Sequence, residues 1–400
     1  MPSSPSTFQS FLMAPPGAPQ GYIPSSFREK EPVPYGMDSN ARPYAIFFSY
    51  MGLCAGLTLF IIHRLTKGFS ALSKSKTAQP PPKKYVVLFV VLAIGSLATT
   101  WYHMIQYFKF SYDTWLMWRQ HYELTPQMKH WGLWLRETSL FKEAWETVLV
   151  GFARYWWSNQ IFFFACALGL DLEQRGFRRG IRHTWAFMLL GQIVAISFAT
   201  NLFILAQLLC PPPPPPASTS GVYKKKWFGP WLLNVASVIA TVIPAFLLAA
   251  EEYWYGHAFF KLLMIPHIAL LVLPFVRVIL PSHYVTDSNV QFEDRVYKIL
   301  WSTTIGGGLL LGLNMTGAAV RYGGYEGIVI ALHEHPAVSS VGYDVIFCWV
   351  TWIAWSAIKV VNSGDVFVRE KEIDEYAWKD DRSGTTVTDG GNGIGAVRRR

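Results

Sequence analysis

Residues 85–108 read YVVLFVVLAIGSLATTWYHMIQYF, and this stretch decides the fold class. It contains no Asp, Glu, Lys or Arg. Its apolar residues follow neither the period of a half-buried strand nor the stripe of a surface helix; they form one continuous run. As a helix such a run rises about 1.5 Å per residue and matches a hydrocarbon core about 30 Å thick. Lipid offers no hydrogen bonds to the backbone, so only helices or closed barrels cross it. A continuous run lacks the alternation of a barrel strand, which leaves the helix.

Seven further runs of this kind lie at Pro43–Ile62, Leu149–Leu170, Thr184–Leu209, Gly229–Ala250, Phe259–Leu280, Val296–Val320 and Tyr343–Val361. The sequence therefore predicts an all-α, polytopic integral membrane bundle of seven or eight transmembrane helices. The count turns on two segments. Pro266, His267 and Pro274 interrupt the sixth span, and Gly306, Gly307, Gly308, Gly312 and Asn314 dilute the seventh. A chain of 400 residues that is 51% hydrophobic and 15% charged agrees with a protein solvated by lipid.

Outside the membrane domain, 43–362, the reading is plainer. Residues 1–42 form a polar, disordered arm with no signal-peptide core, so the first span acts as the targeting signal. Residues 363–400 form a polar tail. Pro211–Pro216 make a polyproline spacer that ends the fourth span. Cys54, Cys166, Cys210 and Cys348 lie in or beside spans, where thiols behave as small hydrophobes, and no disulfide framework is expected.

The net charge of +9 is concentrated in loops. One holds Arg64, Lys67, Lys74, Lys76, Lys83 and Lys84; another holds Arg175, Arg178, Arg179 and Arg182. The positive-inside rule puts both on the cytoplasmic side, and no nucleic-acid partner is expected; the expected location is an endomembrane such as the endoplasmic reticulum. The tail, ending Arg398–Arg400, also reads as cytoplasmic, which with an outside N-terminus requires an odd number of spans. The short early loops carry the greater weight. Between spans two and three, the segment 109–147 is too polar to cross. Trp115, Trp118, Trp131 and Trp134 mark it as an interfacial helical pair or lid.

Ionisable groups inside a span are costly, about 2.5 to 3.5 kcal/mol on insertion scales, and so point to function. Projected at the helical angle, Glu146 shares a face with Trp157, Gln160 and Phe164, while Arg154 lies to the side, placed to meet a neighbouring carboxylate. The fourth span carries Gln192, Ser197, Asn201 and Gln207, with Ser197 and Asn201 on one face and Gln192 opposite. The last span puts Asp344, Cys348, Thr351 and Trp355 on one face, with Trp349 and Trp352 at its sides and His333-Glu334-His335-Pro336 just before it. A carboxyl group beside indoles suits acid catalysis or cation binding, because an aromatic face stabilises positive charge. Asp344 and Glu146 are the leading candidate acids, with Asp113 third. Trp157, Gln160, Gln192, Asn201, Trp352 and Trp355 are the candidate substrate-binding residues. The structural alternatives are that both acids serve helix N-termini, that the amides bond neighbouring helices and that the indoles form an interfacial belt.

Other chemistries lack their motifs. There is no HxxxH or HxxHH cluster, and HEH supplies too few metal ligands. GxSxG, Walker A, a helix-opening GxGxxG, DDxxD and DxDD are missing as well. No metal or cofactor is expected.

The stretch AWETVLVGFARYWWSNQIFFFACALGLDLEQRGFRRGIRHTWAFMLLGQIVAISFATNLFILAQLL, Ala144–Leu209, resembles a family of fungal multi-pass membrane proteins, and HPAVSSVGYDVIFCWVTWIAW, His335–Trp355, resembles its C-terminal end. These are the membrane-bound terpene cyclases of ascochlorin, ascofuranone and macrophorin biosynthesis. The resemblance implies a cyclase of meroterpenoid secondary metabolism. It would act on a lipophilic farnesyl chain carried by a phenol or cyclohexenone and begin by protonating a terminal epoxide or olefin without metal or diphosphate. No residue role is carried over from the family. The competing readings are a transporter of an organic solute using the polar groups of spans three and four, a seven-helix receptor or scaffold, and another lipid-modifying enzyme with His335 as base.

Overall fold

The computed structural model describes residues 40–74, 81–119, 130–176, 179–210, 231–279 and 290–361. The predicted N-terminal arm, the polyproline spacer and the C-terminal tail lie outside them. Among the described residues the chain forms helices and no strand. In chain order these are α1 (Ala41–Lys74), α2 (Lys83–Arg119), α3 (Trp131–Glu137), α4 (Leu140–Leu149), α5 (Phe152–Asp171), α6 (Thr184–Ile193), α7 (Ile196–Leu209), α8 (Trp231–Leu247), α9 (Ala258–Ile279), α10 (Val290–Glu334) and α11 (Pro336–Val361). The residues up to 211 and from 226 to 356 make one compact unit. The second unit, 212–225 and 357–400, falls almost wholly outside the described residues.

Five helices are long and apolar enough to cross a membrane: α1, α2, α9, α10 and α11. Their outer faces are apolar, with Leu59, Ile94, Ile268, Leu313 and Ile353 all exposed. A soluble protein exposes apolar side chains singly; here they recur along whole helices, as a lipid-facing surface requires. Pro266 and Pro274 do not interrupt α9. Nor do the glycines interrupt α10: a Cβ on Gly307 or Gly308 would stand 3.2 or 3.1 Å from the Phe163 ring, so glycine there lets α5 and α10 approach closely. That pair is the most extensive helix contact in the molecule. α10 instead changes direction at Gly324, whose φ of 67° favours glycine.

The remaining apolar runs fold as helices that fall short of those two criteria. α8 has 17 residues, and α5 is long enough but carries Arg154, Asn159, Gln160 and Asp171. The expected fourth span is broken at Val194–Ala195 into α6 and α7. Every residue from Ile196 to Gln207 is buried, which explains why α7 is apolar all round.

Two expectations need correction. The helix of Glu146 ends at Leu149, and Gly151, with a φ of 105°, starts a new one, so Glu146 does not share a helical face with Trp157 and Gln160. The break at Val194–Ala195 likewise voids the projection that set Gln192 opposite Asn201. In the aromatic segment, α3 packs back onto α2. Trp115 and Trp134 are buried, with Trp115 Nε1 donating to Glu137 Oε2 at 2.9 Å and Trp134 Nε1 donating to Ser111 Oγ at 3.2 Å, whereas Trp131 stays exposed. The side chain of Trp118 lies outside the described residues.

Candidate functional site

A helix end buried in the protein leaves amide or carbonyl groups that need partners, since no water reaches them. The α6–α7 break meets this demand with side chains from two other helices. On the α6 side the Tyr50 hydroxyl of α1 donates to the Ile193 carbonyl at 2.6 Å. On the α7 side the Asp344 carboxylate of α11 accepts from the Ile196 N–H at 2.9 Å (Oδ2) and the Ser197 N–H at 2.8 Å (Oδ1). One turn further, the Asn201 amide donates to Thr351 Oγ1 at 3.0 Å and to the Ser197 carbonyl at 2.9 Å. Asp344, Cys348, Thr351 and Trp355 are all buried, so the face expected for the last span exists. Its inner surface is occupied by protein. Trp355 meets the Phe89 ring edge-on at 5.8 Å, and both oxygens of Asp344 are engaged by backbone.

A second group joins α5, α10 and α11. Trp157 Nε1 donates to the Ile328 carbonyl at 2.8 Å, Trp349 Nε1 donates to Gln160 Oε1 at 2.8 Å, and Phe164 meets Trp349 edge-on at 5.3 Å. Trp352 lies 6.0 Å from Trp301, and its buried indole N–H meets no acceptor among the described residues. Gln192 Nε2 donates to Met188 Sδ at 3.7 Å and is brought to neither group.

The third group sits where α2, α4, α5 and the α10–α11 junction meet. Arg154 pairs with Glu334, so the guanidinium does find a carboxylate on a neighbouring helix. His335 is buried between α10 and α11, its Nδ1 accepting from the Ala337 N–H at 3.1 Å and its ring 4.6 Å from Phe110 and 6.0 Å from Tyr107. Glu143 and Glu146 both face Tyr107, whose hydroxyl donates to the Leu140 carbonyl at 2.7 Å. The Glu146 side chain is 12% exposed and lies 3.8 Å from Lys142 Nζ. Tyr255, in the loop between α8 and α9, feels the same charges. Burial above all pushes its phenol up to about 12; Arg154 opposes the shift, and Glu251 and Glu146 add to it. Apolar walls surround this end of the bundle, including Trp145, Phe152 and Trp254. Asp113 is exposed on α2 and belongs to none of the three groups.

Sequence reading missed a fourth group. Asp171 is buried at the end of α5, pairs with Arg175 across one turn and accepts from Gln207 Nε2 at 2.8 Å. Arg179 Nη1 donates to the carbonyls of Gln207 at 2.9 Å and Cys210 at 3.3 Å, which closes the C-terminal end of α7. The signal was the i, i+4 pair in DLEQR directly behind an apolar run, together with Gln207 inside another. Among the described residues no cluster of His, Cys, Asp and Glu is arranged to hold a metal ion, and the four cysteines are unpaired thiols. Compared with protein-family models, curated proteins and solved structures, the chain matches none.

Proposed function

We propose that this protein is a membrane-bound terpene cyclase, an isomerase that closes the farnesyl chain of a prenylated phenol or cyclohexenone in meroterpenoid biosynthesis. The observation that carries the proposal is the position of Glu146: a carboxyl group almost withdrawn from solvent, at an aromatic-walled end of the bundle. Glu146 is the initiating acid. The other candidate, Asp344, has both oxygens committed to the α7 amides and holds the break together instead.

In the reaction Glu146 gives its proton to the terminal epoxide oxygen, or to the terminal alkene carbon. The C–O bond, or the π bond, breaks as the neighbouring double bond closes a new C–C bond. The cation forms at the aromatic end of the bundle, where the quadrupole of the partly exposed Trp145 ring stabilises it. Return of a proton from the last cation to the Glu146 carboxylate restores the acid and brings the mass back to that of the substrate. Lys142, whose side chain is 37% exposed, has the freedom to swing away from Glu146 as substrate enters. Trp157 and Gln160, on the side of α5 that meets α10 and α11, are the proposed contacts for the ring system of the substrate. The proposal includes seven or eight crossings, with α5, the α6–α7 pair and α8 added to the five long helices and the count turning on α8. It places the protein in an endomembrane. Conversion of a farnesylated phenol or its terminal epoxide to an isomer, lost in Glu146→Gln, tests it.

The α6–α7 break favours one alternative, a transporter of an organic solute, because transporters build midplane sites from interrupted helices. Uptake of a solute by proteoliposomes that is lost in Asp344→Asn, with no isomer formed, would select it.

A further inference from the structure

The described arginines of the basic loop 175–182 are of two kinds. Arg175 is paired with Asp171, and Arg179 is spent on the carbonyls that end α7. Arg182 is exposed and, like Arg64 of α1, has no ion pair among the described residues. Both line one half-open cavity of about 220 Å³, together with His183, the neighbour of Arg182, and an apolar wall from Leu65, Phe187 and Leu209.

The cationic end of this cavity is set by geometry. The Arg64 guanidinium lies over the Phe60 ring at 5.9 Å, and the same ring meets His183 edge-on at 5.5 Å. Phe60 thereby holds arginine and imidazole on one side of the opening. The His183 imidazole is shifted below its ordinary range, first by burial and then by the positive charges of Arg64 and Arg182, which places both guanidiniums close to it. Among the described residues no carboxylate lines the opening. Two unpaired guanidiniums at the mouth of an apolar slot match an anion carried on a hydrocarbon chain, because the guanidinium fork binds phosphate oxygens in pairs while the wall buries methylenes.

We propose that this cavity is a binding site for a phosphate-bearing amphiphile, whose anionic head lies between Arg64 and Arg182 and whose acyl chain runs along Leu65, Phe187 and Leu209. The site is separate from the proposed catalytic end, and the two readings stand or fall independently. Phosphate and the basic loop belong together at a cytoplasmic leaflet, which carries anionic lipids.

Native mass spectrometry of the full-length, detergent-purified protein tests this with phosphatidic acid, phosphatidylcholine and inorganic phosphate as probes. The expected result is one phosphatidic acid retained per chain, with about tenfold preference over phosphatidylcholine. Arg64→Gln and Arg182→Gln should each weaken retention about tenfold, and Lys67→Gln, an exposed residue of α1 that does not line the cavity, should leave it unchanged. Thermal unfolding of each variant confirms that it is folded. Equal retention of the two lipids, or unchanged retention in both folded arginine variants, overturns the proposal. Displacement of phosphatidic acid by an equal concentration of inorganic phosphate also overturns it, because the chain would then contribute nothing.

Discussion

Asp344 caps a helix to which it does not belong: its Oδ2 accepts the N–H of Ile196 at 2.9 Å, from a position 148 residues further along the chain. The neighbouring N–H of Ser197 is bound by the other oxygen. A break that would otherwise leave two amides unpaired in a dry interior is thereby tolerated.

Removal of that carboxylate should show the size of the effect. Asp344→Ala leaves both amides without a partner, at roughly 1–3 kcal/mol each. Asp344→Asn retains one acceptor oxygen and should fall between the wild type and the alanine variant. Melting of the detergent-purified proteins checks the order. An alanine variant as stable as the asparagine variant would show that the capping bonds contribute little.

The opposite side of the same break is closed by one neutral hydrogen bond, from the Tyr50 hydroxyl to the Ile193 carbonyl. Tyr50→Phe keeps the ring and removes the donor, so the expected loss is about 1 kcal/mol. The loss should fall to near zero in an Asp344→Ala background if the break rearranges as a unit. A double-mutant cycle on melting temperatures measures that coupling.

Gly342 marks a close approach between α11 and the end of α10. A Cβ there would lie 2.2 Å from Leu332 Cδ1 and 3.5 Å from the Trp157 ring. Leu332 is buried, which limits how far its methyl can retreat. Gly342→Ala should destabilise by about 1–3 kcal/mol, the usual range for overpacking. Leu332→Ala in the same chain should recover part of the loss, and a melt that shows no recovery would place the strain elsewhere.

Much of the architecture was legible in the residues because continuous helices keep their period. The face of Asp344, Cys348, Thr351 and Trp355 follows from spacing alone, since α11 runs unbroken from Pro336 to Val361. Projection failed at Gly151 and at Val194–Ala195, where the helix changes course. The second break is stabilised by Tyr50 and Asp344, and no local window contains partners more than a hundred residues away. The partners of Trp115 and Trp134 were not legible, because no local window shows that α3 folds back onto Ser111 of α2. Arg154 was legible as a residue in need of a carboxylate, and Glu334 supplies it. The Asp171–Gln207 contact was not, because it joins two segments that each look complete on their own.

The direct test of the proposed activity is the conversion of a farnesylated phenol and its terminal epoxide by membranes containing the wild-type protein, followed by mass spectrometry and chromatography. The account predicts a product of unchanged mass and altered retention time, formed without added metal or nucleotide. In Glu146→Gln, formation of this product should fall at least a hundredfold, the lower end of what a positioned general acid contributes, while the protein level stays the same. A Glu146→Gln variant that keeps most of the wild-type rate would contradict the assignment of the acid, and wild-type membranes that form no isomer from either substrate would contradict the cyclase itself.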